Sequence, residues 1–296
     1  MKTVEKKSPI KILNFADEEY PINLKYIFDP PASLNIKGSL LKEDSIAIAV
    51  VGSRRATYYG QHNAENLAFH LAAKGITIVS GLARGVDSAA HRGALKAGGR
   101  TIAVLGSGVD VIYPPENSKL AEDVARNGAV ISEFPLGTPP FKQNFPRRNR
   151  IISGMSLGIV VIEAAKRSGA LITANFALEQ GREVFAIPGK IGSLTSQGTH
   201  SLIKDGAKLV ESVEDIIEEI ESLRIYQDVK KQEALPLPGL SEEEKQIYDN
   251  ITKEPSYIDD IMEKVIFSHG KLLNCLLRLE HKGLIKELPG KQFIRT

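Results

Sequence analysis

The sequence predicts a doubly wound α/β domain with a mainly parallel sheet, followed by a small winged-helix domain. Three observations carry this. Seven short apolar runs recur between residues 45 and 210, and amphipathic helical patterns separate most of them. The stretch 225–240, closing on Pro236-Leu-Pro238-Gly239, marks a change of composition. Beyond it lie three short helical patterns and a Gly-turned ribbon.

Residues 1–43 are weakly patterned, and Pro21, Pro30 and Pro31 interrupt any long helix. They read as an N-terminal arm that packs Tyr20, Leu24, Tyr26, Ile27 and Phe28 on the α/β domain. The seven runs are Ser45–Val51, Ile76–Val79, Thr101–Leu105, Ala129–Ile131, Ile159–Ile162, Val184–Ile187 and Lys208–Val210. Each is too continuously apolar for a half-exposed strand. Helices such as Ala64–Leu71 and Asp87–Ala97 are therefore expected to cover both faces of a parallel sheet over about 44–224. Residues 225–240 read as a linker. Ser241-Glu-Glu-Glu244 is a capping box that opens the 241–296 domain. Tyr257–Val265, capped by Ser256, and Ser268–His281 are its second and third helices. Leu284–Leu288 and Gln292–Arg295 form the ribbon. In DNA-binding winged helices the third helix enters the major groove. This one offers Lys271, Arg278 and Lys282 against Glu280, and residues 236–296 hold nine Lys and Arg against ten Asp and Glu. A protein-contact or dimer-support role is favoured, and duplex binding stays open.

The chain has 296 residues, a net charge of +2 and 42% hydrophobic content, which is ordinary globular composition. The charge is uneven. Residues 1–43 carry +1, residues 44–210 carry nineteen Lys and Arg against twelve Asp and Glu, hence +7, and residues 211–296 carry −6. A basic middle implies a polyanionic partner. The single cysteine, Cys275, excludes an intrachain disulfide and a cysteine zinc site. No apolar stretch approaches the ~20 residues of a membrane span, and the start, MKTVEKKSPIKILNF, lacks the apolar core of a secretory signal. A cytoplasmic protein without membrane association is expected.

The strand ends hold the chemistry. Gly52-Ser53-Arg54-Arg55, Ser80–Asp87 with Arg84, Gly106–Gly108, and the segment after Glu163 with Arg167, Ser168 and Gly169 fall on one edge of the predicted sheet. There ligands bind in such folds. Glycines let backbone approach an anion, and Ser and Arg supply donors. Between Phe141 and Thr173 runs a basic stretch with Lys142, Arg147, Arg148 and Arg150 in nine positions. No Asp or Glu occurs between Glu133 and Glu163. Uncompensated cations beside a strand end and a helix start describe an anion site. The bland reading of the same residues is tight βα turns and a solvated basic face.

Enzyme motifs are missing. Gly106-Ser-Gly108 lacks the third glycine of a dinucleotide fingerprint, and neither a phosphate loop of the Gly-x-x-x-x-Gly-Lys type nor a Gly-x-Ser-x-Gly elbow occurs. His70, His91 and His200 lack metal-ligand spacing. Asp87 and His91, one helical turn apart, read as a structural cap and hydrogen-bond partner. Glu163 has two open readings, a general base or, preferred, a carboxylate that orients the neighbouring arginines. No catalytic residue, cofactor or metal is expected.

Taken together the motifs resemble one family. They are Gly52-Ser53-Arg54, SGLARGVDSAAH at Ser80–His91, YPPEN at Tyr113–Asn117, ISE at Ile131–Glu133, FPRRNRIISG at Phe145–Gly154, RSGALIT at Arg167–Thr173 and VFAIPG at Val184–Gly189. This set is similar to the bacterial DNA-processing protein A family (DprA, also called Smf), over about Ile46 to Val210. The resemblance implies an extended Rossmann-like domain that binds and protects single-stranded DNA. It also implies a homodimer, loading of the RecA recombinase in natural transformation, and no turnover. Gly52, Ser53 and Arg54 match the family's phosphate-binding motif. Lys142 and Phe145 match strand-binding positions, the first by charge and the second by stacking. Arg148, Asn149, Arg150, Ser168 and Gly169 would complete the pocket, with Arg55, Arg84, Arg147 and Arg167 as further DNA contacts. One position departs: some relatives carry lysine after Tyr-Pro where this chain has Pro115, with Lys119 as the candidate substitute. Two other classes compete. One is a nucleoside-monophosphate-processing enzyme centred on Glu163. The other is a transcriptional regulator that reads duplex DNA through the winged helix.

Overall fold

The computed structural model describes residues 9–234, 240–252, 254–265 and 267–295, with the side chains of 231–234 left aside. The chain divides into two compact units, Met1–Gln227 and Asp228–Thr296.

The larger unit is a nine-stranded sheet. It begins with β1 (Ile10–Asn14), the short α1 (Ile22–Lys25) and β2 (Ser33–Gly38). Then β3 (Ala47–Val51), α2 (Tyr58–Ala73), β4 (Thr77–Ser80), α3 (Val86–Lys96), β5 (Thr101–Val104), α4 (Ser118–Asn127) and β6 (Gly128–Ser132) alternate. After α5 (Asn144–Gly154) come β7 (Gly158–Val161), α6 (Gly169–Glu179), β8 (Glu183–Ala186), α7 (Gln197–Lys204), β9 (Lys208–Leu209), α8 (Glu214–Glu219) and α9 (Glu221–Ala234). The strand order is β1-β2-β6-β5-β4-β3-β7-β8-β9. From β6 to β9 every neighbouring pair is parallel. The seven apolar runs are these seven strands. Apart from β9 at the far edge, where Leu209 is exposed, they are apolar because both faces are covered: Ala47, Ala49 and Val51 pack on one side with Ile151, Ala174 and Leu202. Ile48 and Val50 pack on the other with Leu67, Leu71 and Ala90. That alternation is the period of two of a strand with a core on each face.

Two expectations change. Residues 1–43 do not form only an arm, because β2 extends the sheet antiparallel to β6 and β1 pairs antiparallel with β2. Their pattern is weak because β1 is the edge strand, with Ile10 and Ile12 exposed and Leu13 buried. Tyr20, Leu24 and Ile27 do pack into the core, whereas Tyr26 and Phe28 stay exposed. The first ten residues of the supposed linker 225–240 belong to α9. Tyr226 Oη donates to the Gly75 carbonyl (3.2 Å) and Gln227 Nε2 to the Lys74 carbonyl (3.0 Å). Residues 235–239, with the Pro236-Leu-Pro238-Gly239 end, lie outside the described residues.

The smaller unit is a winged helix: α10 (Glu242–Asp249), β10 (Ser256–Tyr257), α11 (Ile258–Lys264), α12 (His269–His281), β11 (Ile285–Leu288) and β12 (Gln292–Arg295). The capping box is made as expected. Ser241 Oγ accepts the Glu244 N–H, and the Ser241 N–H donates to Glu244 Oε2 at 2.8 Å. Ser256 is not a helix cap, because it pairs with Phe293 as the third strand of the ribbon. Lys271 of α12 is paired with Glu243, and Lys282, just after the helix, with Glu244, both at 2.7 Å.

Candidate nucleic-acid interface

In the larger unit the chain runs from β3 outward through β4, β5 and β6, then returns to the other side of β3 as β7. The reversal opens a crevice at the carboxyl ends of β3 and β7, the place where doubly wound sheets bind ligands. A cleft of about 740 Å³ lies there. Its lining includes Gly52, Ser53, Arg54 and Arg55 after β3, and Ser168 and Gly169 after β7. Lys142, Phe145, Arg148 and Asn149 line it from α5 and the loop before it.

The loop after β3 is held by backbone. The Ser53 N–H donates to the Glu163 carbonyl (2.8 Å), and the Ser53 carbonyl accepts from Val86 (3.2 Å). A Cβ on Gly52 would stand 2.6 Å from Val86 Cγ2, so only glycine passes there. Gly85, at φ +73°, would press a Cβ on the Ser53 carbonyl. On the opposite wall Ser168 caps α6, its Oγ accepting the Ala170 N–H at 3.3 Å. A Cβ on Gly169 would meet nothing within 4 Å among the described residues, so the positive end of this helix is open to the cleft.

Between the walls stands Phe145. Its ring leans on Gly106, where a Cβ would lie 2.9 Å from Cδ1. The Arg54 guanidinium lies over it at 4.8 Å, and Tyr113 is tilted beside it at 6.0 Å. Arg148 is buried beneath. Its Nη1 donates to the carbonyls of Gly81 (2.7 Å) and Val104, and its Nε donates to Asn149 Oδ1 (3.2 Å). Burial lowers the Arg148 pKa to about 10, an effect that Asp87 opposes and Arg54 reinforces. Burial raises the Asp87 carboxyl, and Arg148 pulls it back. The two therefore compensate each other's desolvation.

Not every predicted residue is here. Arg84 is paired with Glu116 on the exposed surface. Arg147 and Arg150 both turn to Glu133, at 3.0 and 2.5 Å, so two of the four cations of the basic stretch are compensated. Arg167 is exposed and outside the lining, as is Lys119 on α4. The loop Gly106–Gly108 supplies room for Phe145 rather than donors to the cleft. Tyr113 lines the cleft without having been singled out. Its signal was the YPPEN motif, read only for the departure at Pro115.

Glu163 does not orient arginines. Buried at 4% exposure, its carboxylate accepts from Thr57 N–H (2.9 Å), Thr57 Oγ1 (2.6 Å) and Thr195 Oγ1 (3.3 Å). It pins the start of α2, and its lone pairs are committed. Asp87 and His91 bond elsewhere rather than to each other. Asp87 accepts from the Ala83 N–H (3.3 Å). The Thr101 hydroxyl donates to the Ile78 carbonyl, so it accepts from His91 Nδ1, 2.7 Å away. Nε2 of this buried ring has no partner among the described residues. Burial, with the charges of Arg148 and Arg92, lowers the His91 pKa to about 3. Below pH ~6.5 the unfolded chain takes up a proton that the folded chain refuses. Stability should therefore fall as pH drops from there toward 3, by up to about 1.4 kcal/mol per pH unit. Urea midpoints at pH 5 and 7 should separate more for the wild type than for His91→Gln. Equal separations would refute this.

Among the described residues no helix is long and apolar enough to cross a membrane, and no group of three or more His, Cys, Asp or Glu is placed to hold a metal ion.

A family model described as DNA recombination-mediator protein A matches residues 11–221, and one described as the DprA winged helix domain matches residues 231–291. The chain belongs to the DNA recombination-mediator protein A family. It is 43% identical over 287 residues to Protein Smf of Escherichia coli, covering 93% of this chain and 75% of that one. It is 46% identical over 212 residues to DNA processing protein DprA of Bacillus subtilis, covering 71% of each. DNA processing protein A from Streptococcus pneumoniae superposes with a TM-score of 0.68 at 45% identity, over 72% of this chain and 75% of that one. The same protein from Helicobacter pylori, whose structure was described for its single-stranded DNA binding mode, gives 0.65 at 30% identity, over 73% of this chain and 99% of that one. The family is one of recombination mediators, which sets the nucleotide-processing alternative aside.

Proposed function

We propose that this chain binds single-stranded DNA in the cleft between the β3 and β7 loops and serves as a cytoplasmic recombination mediator. It would protect incoming strands and hand them to the RecA recombinase. One observation carries the reading: Arg54, Lys142 and the open start of α6 surround an aromatic ring, Phe145, at the switch point of the sheet. A positive groove along the backbone with an aromatic for a base is how proteins hold single strands without sequence preference. The single-stranded DNA binding described for the Helicobacter pylori relative supports it. Gly52, Ser53, Arg54, Arg55, Lys142, Phe145, Arg148, Asn149, Ser168 and Gly169 are proposed as the site, within a strand-binding domain of residues 44–224. A homodimer is proposed as the working state. The winged helix is assigned to protein contact or dimer support, because Lys271 of α12 and Lys282 just after it are already paired with glutamates.

The test is a salt titration of binding to a single-stranded oligonucleotide beside the matching duplex. Tight single-strand binding, weak duplex binding and a log–log slope of several charges are expected. A chain lacking residues 236–296 should keep most of the affinity. No binding at low salt refutes the proposal, and a tenfold or greater loss on truncation moves the site to the winged helix.

A further inference from the structure

The four cations between Lys142 and Arg150 are divided by the helix that carries them. On α5, Phe145, Arg148, Asn149 and Ile152 follow the i, i+3, i+4, i+7 spacing of one helix face, and all four line the cleft. Arg147 and Arg150, three apart, lie on another face and converge on a single carboxylate, Glu133, just beyond the end of β6. The Glu133 side chain is 3% exposed and that of Arg150 7%, whereas that of Arg147 is 61% exposed. More groups grip the same face. Asp29 Oδ2 lies 3.3 Å from Arg150 Nε, Gln180 Nε2 donates to the Arg150 carbonyl at 3.0 Å, and the Arg147 guanidinium lies over the Phe134 ring at 5.6 Å. Burial raises the Glu133 carboxyl pKa and the two arginines pull it back.

We propose that Glu133 is a positioning residue, which holds Arg147 and Arg150 across one turn of α5 and so fixes the opposite face, with Phe145 and Arg148, toward the strand. The two arginines act through the helix and leave the DNA phosphates to Arg54, Arg55 and Lys142. A helix gripped at one buried carboxylate presents its far side in one orientation, and loosening such a support by ~1 Å degrades a site whose own residues are intact. This rests on the strand-binding reading above.

The distinguishing observable is the salt slope. A lost phosphate contact flattens the log–log dependence by about one charge, while a lost support lowers affinity at unchanged slope. Binding of a fluorescent single-stranded oligonucleotide would be titrated with salt for the wild type, Glu133→Gln, Arg147→Ala, Arg150→Gln and Arg150→Lys. Glu133→Gln and Arg150→Gln are expected to bind about tenfold more weakly at the wild-type slope. Arg150→Lys, which keeps a cation for Glu133, should recover to within about threefold. Arg147 is exposed, so Arg147→Ala folds whatever happens to the buried pair, and its slope should equal the wild type's. An Arg147→Ala slope flatter by one charge overturns the proposal, as does a folded Glu133→Gln chain that binds as tightly as the wild type. A wild-type chain that binds no single strand overturns the function and the positioning role together, so the two failures are told apart.

Discussion

An Arg148→Ala chain is expected to unfold on the order of 10 °C below the wild type. Arg148 is 4% exposed and is the counter-charge of Asp87, itself buried. The two act on each other through space rather than as a hydrogen-bonded ion pair, so removing the guanidinium withdraws the charge that holds the buried carboxyl down. The carbonyls of Gly81 and Val104 lose their donor as well, which adds the cost of unsatisfied buried acceptors. In a unit of this size each kcal/mol moves the midpoint by roughly 2–4 °C. Thermal unfolding followed by circular dichroism checks it, with the exposed Arg54→Ala chain as control. A midpoint within 2 °C of the control would mean that Asp87 simply takes a proton, and that the arginine under Phe145 is dispensable to the fold. The fit is tight on both sides, since a Cβ on Gly81 would stand 2.6 Å from Arg148 Nη1.

The second large effect is on binding. Arg54→Ala should weaken single-strand affinity and flatten the salt slope by about one charge. Phe145→Ala should lose ~1–3 kcal/mol at an unchanged slope, because a stacked base is neutral. The two should not be additive. The Arg54 guanidinium rests 4.8 Å over the Phe145 ring, so a base that stacks there must displace a cation–π contact of ~0.5–1 kcal/mol. Either single variant is spared that displacement, so the double variant should lose more than the sum of the singles by about that amount, and a double-mutant cycle measures the difference. Strict additivity would show that the arginine and the ring act on separate parts of the strand.

Much of this molecule was legible in one dimension. Strands buried on both faces are largely apolar, so Ala47–Val51 and the strands that follow it up to Glu183–Ala186 stand out without any partner in view. Helix starts are local chemistry, so the Ser241–Glu244 box could be read four residues at a time. Gly52-Ser53-Arg54 and Ser168-Gly169 could be placed at the cleft because strand ends in a doubly wound sheet share an edge. β1 escaped because it is an edge strand with most of its residues in water, and β2 because polar Ser33, Asn35 and Lys37 alternate with its apolar residues.

Only the tertiary structure decided which cations serve the cleft. Consecutive residues on a helix point ~100° apart, so a run of positive charge in sequence is split among faces in space. Arg148 goes under the ring while Arg147 and Arg150 go to Glu133, fourteen and seventeen positions back. Glu163 finds Thr57 from 106 positions away and is a brace for α2 rather than a base. The sequence by itself determined the elements and the edge where their loops meet, because those follow from local periodicity and from burial. Pairing of charges depends on distances set by how the strands are ordered, and no local spacing records that order.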